Sequence, residues 1–270
     1  MQIINNIDNS DSNNIQTFFA GIFDGHGGGA ISKTLVEKID ISKYFCNIKS
    51  PIAQHMSQSK SYNNKMIIPL FSRIQEKLKN FHMKSNMMGS TTLITSIFPK
   101  TEKQEKYCLK IINLGDSRAV LCNEYNIAQQ LSLDHKPNTL CERQRIFNMG
   151  GNLEQSEDDD IRINGMSVSR SFGDLDNKYI SQIPDVFDYN IGNDKFIIMG
   201  CDGVWDVVIN QEAVDLVLEK MEELKINKKQ LVNMRGKSEN NIAQRLADYA
   251  IKKKSLDNIS IIIIFLADNI

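Results

Sequence analysis

"FAGIFDGHGGG", residues 19–29, runs an apolar segment into an aspartate, a histidine and a cluster of glycines. With its flanks the apolar part, "TFFAGIF" over 17–23, reads as a buried strand that stops at an Asp-Gly turn. The glycines carry no side chains to pack, so the backbone there is free to approach another group closely. What Asp24 and His26 can do then depends on the partners that distant parts of the chain bring to them.

The same pattern recurs. "INLGDSR" ends an apolar run at Asp116, "IIMGCDG" ends one at Asp202, and "DNISIIII" begins one at Asp257. A single Asp-Gly after a strand is ordinarily a turn. Four carboxylates at the ends of apolar strands call for another account, because a carboxylate set into a sheet is costly unless paired or bound to a metal. Magnesium and manganese take such oxygens, together with backbone carbonyls and water. Gly25 would let its carbonyl reach an ion. Two ions close together would share a water, lower its pKa and direct the resulting hydroxide at phosphorus. His26 would then protonate a departing alkoxide.

Outward from that stretch, residues 1–16 are polar and Asn-rich and are expected to hold little order, leaving 17–270 as one domain. "AISKTLVEKI" places Ile31, Leu35, Val36 and Ile39 on one helical face, and "MIIPLFSRIQEKLKNFHMK" repeats the spacing through Leu70, Ile74 and Leu78. Between them, 41–65 reads as a surface connection. The middle of the chain changes character: 90–98, 107–115, 117–122 and 127–133 are short β-rich runs parted by turn residues, an antiparallel meander. "NTLCERQRIFNMGG" reads as a helix stopped by Gly150 and Gly151. Strands at 195–203 and 257–266 then bracket the helical patterns "NQEAVDLVLEKMEEL" and "NIAQRLADYAIKKK". Helices covering sheets is the simplest architecture for this order.

Charge and cysteines narrow the classes. With 32 basic and 33 acidic residues the net charge is -1, so no global basic field would hold nucleic acid or an anionic membrane. The five cysteines form no CxxC pair and are odd in number, against a disulfide framework or a structural zinc site. A reducing compartment, cytoplasm or nucleus, is expected. The longest apolar run, "ISIIIIFLA", suits a buried strand rather than a membrane span. The N-terminus does not read as a secretory signal, and Gln2 excludes myristoylation.

In family order, the segments "FAGIFDGHGGG", "GSTTLI", "INLGDSRAVLC", "LSLDHKPN", "RINGMSVSRSFGD", "IPDV", "FIIMGCDGVWDVV" and "DNISIIIIFL" resemble the protein phosphatases 2C, metal-dependent serine/threonine phosphatases. That resemblance implies an α+β fold, an α-β-β-α sandwich of two antiparallel sheets with helices outside. It implies two Mg²⁺ or Mn²⁺ ions, with Asp24 bridging both, Gly25 offering its carbonyl to one, and Asp202 and Asp257 holding the other. His26 matches the general acid, and Asp116 matches a ligand of a weaker third ion described in some members. The implied substrates are phosphoproteins, hydrolysed at phosphoserine and phosphothreonine by a monomer with neither nucleic acid nor membrane as a partner. Arg118, Arg170 and Asp206 read as salt-bridge partners that hold loops, Trp205 as packing beneath the metal loop, and His135 as a turn residue. His55 and His82 read as surface or packing residues and 157–160 as a solvated acidic loop.

One departure stands out. The family opens with a strand carrying a phosphate-gripping arginine and then a Glu-Asp pair. Upstream of Asp24 this chain has neither arginine nor glutamate, and Gln2 falls at the glutamate's place if Met1 matches the preceding methionine. We expect an upstream segment to supply them, and slow turnover of phosphopeptides without it. The alternative is a silent module that binds phosphoproteins without turnover. A calcineurin-like metallophosphoesterase, faintly echoed by Asp24-Gly25-His26, would need several histidine ligands and an Asn-His element. Four histidines and no Asn-His pair argue against it.

Overall fold

Phe19 and Phe23 face one way and Ala20 and Ile22 the other, the period-two alternation of a strand buried on both sides. This is β2 (Thr17–Ile22) in a computed structural model that describes residues 2–6, 17–46, 63–81, 87–99, 107–156, 160–224 and 241–266. With β1 (Gln2–Asn6), β5 (Thr92–Pro99), β6 (Tyr107–Leu114) and β12 (Asp185–Asn190) it forms an antiparallel sheet in the order β1-β2-β5-β6-β12. A second antiparallel sheet runs β14-β13-β7-β8, from Ile261–Phe265, Phe196–Gly200, Arg118–Cys122 and Ala128–Gln130.

The two sheets meet through Ala20, Ile22, Leu93, Ile111, Leu121, Ile197, Met199 and Ile262, all essentially buried. Helices cover the outer faces. Over the first sheet lie α1 (Ala30–Lys33), which continues as a π-turn over Thr34–Lys38, α2 (Ser42–Cys46) and α3 (Asn63–Phe81). Ile67, Leu70, Phe71, Ile74 and Leu78 give α3 the apolar stripe that meets Phe19, Ile94 and Ile112. Over the second sheet lie α6 (Asn210–Glu223) and α7 (Ile242–Lys252), through Val214, Val217, Leu246 and Ala250. The side chain of Asn241 caps α7 by accepting from the Ala243 and Gln244 amides. The result is the four-layer α-β-β-α sandwich. A small sheet β11-β4-β3 (Phe172–Gly173, Gly89–Ser90, Gly25–His26) and a hairpin of β9 (Glu154–Gln155) and β10 (Ile161–Arg162) sit beside it. Helices α4 (Leu140–Asn148) and α5 (Asp202–Trp205) complete the described elements. Among the described residues no helix is long and apolar enough to cross a membrane.

Four expectations need correction. The four β-rich runs over 90–133 are not one meander: β5 and β6 lie in the first sheet and β7 and β8 in the second, the chain crossing between sheets after Leu114. Residues 2–6, expected to hold little order, pair with β2 from Gln2↔Gly21 to Asn6↔Thr17, because the backbone groups at an open strand edge gain partners there. The remainder of 1–16 lies outside the described residues, as do His55, His82 and 157–159. The supposed surface connection over 41–65 contains α2, with Ile41 and Phe45 buried against β2 and α3. His135 is not a simple turn residue. It is buried, accepts the Gly115 amide at Nδ1 (3.0 Å) and meets Asp185 at Nε2 (3.0 Å).

Candidate metal centre

β2 of one sheet and β13 of the other end side by side, so Asp24 follows the first and Cys201 and Asp202 the second. Their carboxylate oxygens and the Cys201 Sγ all lie within 4.8 Å of one another. The backbone fixes each arm. The Thr91 amide donates to the Asp24 carbonyl (2.8 Å), and the Gly203 amide donates to the Asp202 carboxylate in the first turn of α5 (2.8 Å). The Cys201 Sγ accepts from the Ser260 amide (3.2 Å) and donates to the Asn258 carbonyl (3.1 Å). A Cβ on Gly203 would stand 2.3 Å from that carbonyl oxygen. Only a glycine lets the loop of Asp257 come so near.

Charge crowds this place. Burial, then the neighbouring Asp202 and Asp257 carboxylates, push the Asp24 carboxyl up to about 7. Burial and the charge of Asp257 also raise Asp202. Asp116, wholly buried, is raised by burial first and Asp202 second, and its Oδ2 has no hydrogen-bond partner among the described residues. Lys136 opposes this crowding, but its Nζ is committed to Asp206 at 2.7 Å. Such a set of oxygen donors fits a hard cation, which would offset the negative charge gathered here. The Cys201 thiol, pushed up to about 12 by burial and then by Asp24, stays protonated and is no thiolate ligand at neutral pH.

Of the sequence candidates, Asp24 and Asp202 are in contact, Asp257 acts on both through its charge, and the charge of Asp202 in turn raises Asp116. Gly25 and His26 form β3, which pairs with β4. The His26 Nε2 lies 2.7 Å from the Asp174 Oδ2. Sequence reading missed Cys201 and Asp174. The first adjoins Asp202 in "GCDG", whereas the second stands 148 residues from its partner.

Salt bridges hold the surrounding loops. Arg118 takes Asp134 at both carboxylate oxygens (2.6 and 3.1 Å) and reaches Asn210. Arg170 joins Glu142 to Asp185. Trp205 packs below, its Nε1 donating to the Gly200 and Arg118 carbonyls.

A family profile described as "Protein phosphatase 2C" matches residues 2–259. The chain is 44% identical over 171 residues to a PP2C-like domain-containing protein R307 of Acanthamoeba polyphaga mimivirus, covering 58% of this chain and 93% of that one. It is 34% identical over 257 residues to a probable protein phosphatase 2C 44 of Oryza sativa subsp. japonica, spanning 90% of this chain and 66% of the rice protein. Its fold is similar to the crystal structure of a serine-threonine phosphatase 2C from Toxoplasma gondii. That likeness has a TM-score of 0.71 at 22% identity, over 92% of this chain and 84% of that one.

Proposed function

The chain belongs to the protein phosphatase 2C family of metal-dependent protein phosphatases, and from that premise we propose that it hydrolyses phosphoserine and phosphothreonine esters in proteins. The observation that carries the reading is the convergence of Asp24 and Asp202 beside Asp257, with the Asp24 carboxyl driven up to about 7 by burial and its acidic neighbours. In this reading Asp24, the Gly25 carbonyl, Asp202 and Asp257 hold two Mg²⁺ or Mn²⁺ ions, and Asp116 assists a weaker third. The ions supply Lewis acidity and a water of lowered pKa.

The chain's own residues do the rest. Asp24 and Asp202 fix where positive charge sits, and the aspartates crowd together only as far as that charge offsets their repulsion. His26, with about a quarter of its side chain exposed, gives a proton to the leaving serine or threonine oxygen. The five cysteines, odd in number and without a CxxC pair, support a reducing site of action, cytoplasm or nucleus.

The test is hydrolysis of a small aryl phosphate in Mn²⁺, in chelator, and after Mn²⁺ is restored. Activity should vanish and return. Full activity in exhaustively chelated protein would overturn the reading. Saturable phosphopeptide binding without turnover of either substrate would favour the silent binding module.

A further inference from the structure

Gly89 stands between two strands of the small sheet, opposite His26 on β3 and opposite Gly173 on β11. A Cβ built on it would lie 2.2 Å from both the His26 Nε2 and the Asp174 Oδ2. The side chain that Gly89 lacks is therefore the space in which an imidazole and a carboxylate meet, at 2.7 Å. The Asp174 side chain is 2% exposed and the His26 side chain 28%. One partner is sealed in the protein, and the other is partly open to solvent.

Much of the local structure serves to hold Asp174. Its φ is +47°, a left-handed conformation uncommon outside glycine, and the Gly173 before it has φ +83°. The Asp174 amide donates to the Met88 carbonyl (2.9 Å), and its own carbonyl accepts the Asn177 amide (3.0 Å). Gln75, buried on α3, clamps Gly173 from both sides: its Nε2 donates to the Gly173 carbonyl (2.8 Å) and its Oε1 accepts the Gly173 amide (2.9 Å). Ser171 donates its hydroxyl to the same Oδ2 that meets His26, while Oδ1 has no hydrogen-bond partner among the described residues. A carboxylate buried this deeply is costly unless something answers its charge. The imidazole of His26 is placed to do so.

We propose that Asp174 is the positioning residue for His26: it accepts the Nε2–H and leaves Nδ1 as the atom that delivers the proton. The inference rests on the reading of His26 as general acid. As the bond from phosphorus to the serine oxygen breaks and one from the water oxygen forms, the Nδ1 proton passes to the departing oxygen. The ring is left neutral with its proton on Nε2, the tautomer that Asp174 holds. A fixed tautomer and ring orientation is what a buried carboxylate behind a catalytic imidazole provides.

The experiment compares wild type with Asp174→Asn, Asp174→Ala, His26→Ala and the double variant His26→Ala/Asp174→Ala, all in saturating Mn²⁺. One substrate is a phosphoserine peptide, whose leaving oxygen needs a proton. The other is 2,4-dinitrophenyl phosphate, whose leaving group does not. Asp174→Asn should lower kcat on the peptide by ~100-fold, with KM within about twofold and the aryl ester slowed by less than about threefold. The double variant should be no slower than His26→Ala alone, because the carboxylate acts only through the ring. Nitrogen-15 spectra of the imidazoles, assigned with His26→Ala and recorded at alkaline pH on the neutral ring that the transfer leaves, should show the Nε2–H tautomer of His26 in wild type. In Asp174→Asn they should shift toward Nδ1–H, because an amide can donate to Nε2. Equal losses on both substrates, additive losses in the double variant, or an unshifted tautomer would overturn the proposal. Should Asp174→Ala fail to fold, the near-isosteric Asn variant carries the kinetic and spectral tests. Should wild type turn over neither substrate, the phosphatase reading fails, and the tautomer spectra still decide whether Asp174 fixes His26.

Discussion

At Asp24, burial beside Asp202 and Asp257 holds the carboxyl up to about 7, against 3.8 for an ordinary aspartate. The folded chain therefore keeps a proton that the unfolded chain has released across that interval. Stability from this proton is fully present below about pH 4 and is lost as pH rises through about 7. Asp202 and Asp116 are raised for the same reason and add the same sign. Chelated protein should thus melt at a lower temperature at pH 8 than at pH 5, and Asp24→Asn should reduce that difference. The variant should also lose much of the Mn²⁺-induced rise in melting temperature at pH 8, since mass action needs the ligand charge it removes. Thermal melts at both pH values, with and without Mn²⁺, check this. A variant with wild-type slope and wild-type response to Mn²⁺ would contradict the assignment. The aspartates themselves were legible, because a carboxylate at the end of an apolar strand is an anomaly visible in one line of sequence. Asp174 was not. Nothing local in "SFGD" distinguishes a turn aspartate from one that meets His26 across 148 residues, and Gly89, which opens the space between them, looks like any strand-edge glycine.

Between elements, Glu142 on α4 is the knot. Its side chain is 3% exposed and accepts from Arg170 (2.6 and 3.0 Å) and Arg145 (2.8 and 3.1 Å), while Arg170 reaches on to Asp185 at the start of β12. Burial alone would raise this carboxyl, but the two guanidinium groups outweigh it and bring Glu142 down to about 2. Removing one partner of such a buried set costs ~3–5 kcal/mol, because the other charges are left without an answer. Glu142→Ala should lose about that much in urea unfolding. The depressed value gives stability that is present above about pH 4.5 and lost as pH falls toward about 2. Glu142→Gln should flatten that acid limb. A limb as steep as wild type would place it on other carboxylates. Sequence pattern was a good guide to many elements: the apolar and β-rich runs became β2, β5, β6, β13 and β14, and Gly150, at φ +79°, follows the end of α4 as expected. It was a poor guide where composition outweighed a few apolar positions. Ser, Asn and Lys around Ile41 and Phe45 hid α2, and the proline after His135 suggested a turn where a buried double hydrogen bond stands. Tertiary partners decide such cases, and no window of sequence contains them.

For the molecule as a whole, the order β1-β2-β5-β6-β12 makes residues 2–6 one edge of the sheet whose second strand ends at Asp24. β2 joins the layers: Phe19 packs on the helix layer, Ala20 and Ile22 on the facing sheet, and the next residue but one after Ile22 is Asp24 of the candidate metal centre. Its five-residue ladder with β1 satisfies backbone groups that would otherwise form a free edge, a template for pairing with another chain. A variant lacking residues 1–14 should therefore scatter more light at equal concentration and melt lower than the full chain. Because β2 sets the position of Asp24, it should also bind Mn²⁺ more weakly, read by calorimetry on freshly purified monomer. The two effects separate by their dependence on protein concentration: association grows with it, whereas the metal defect persists at high dilution. A shortened chain that stays monomeric, melts like the full one and binds Mn²⁺ equally well would show that β1 neither guards the edge nor steadies the strand that carries Asp24.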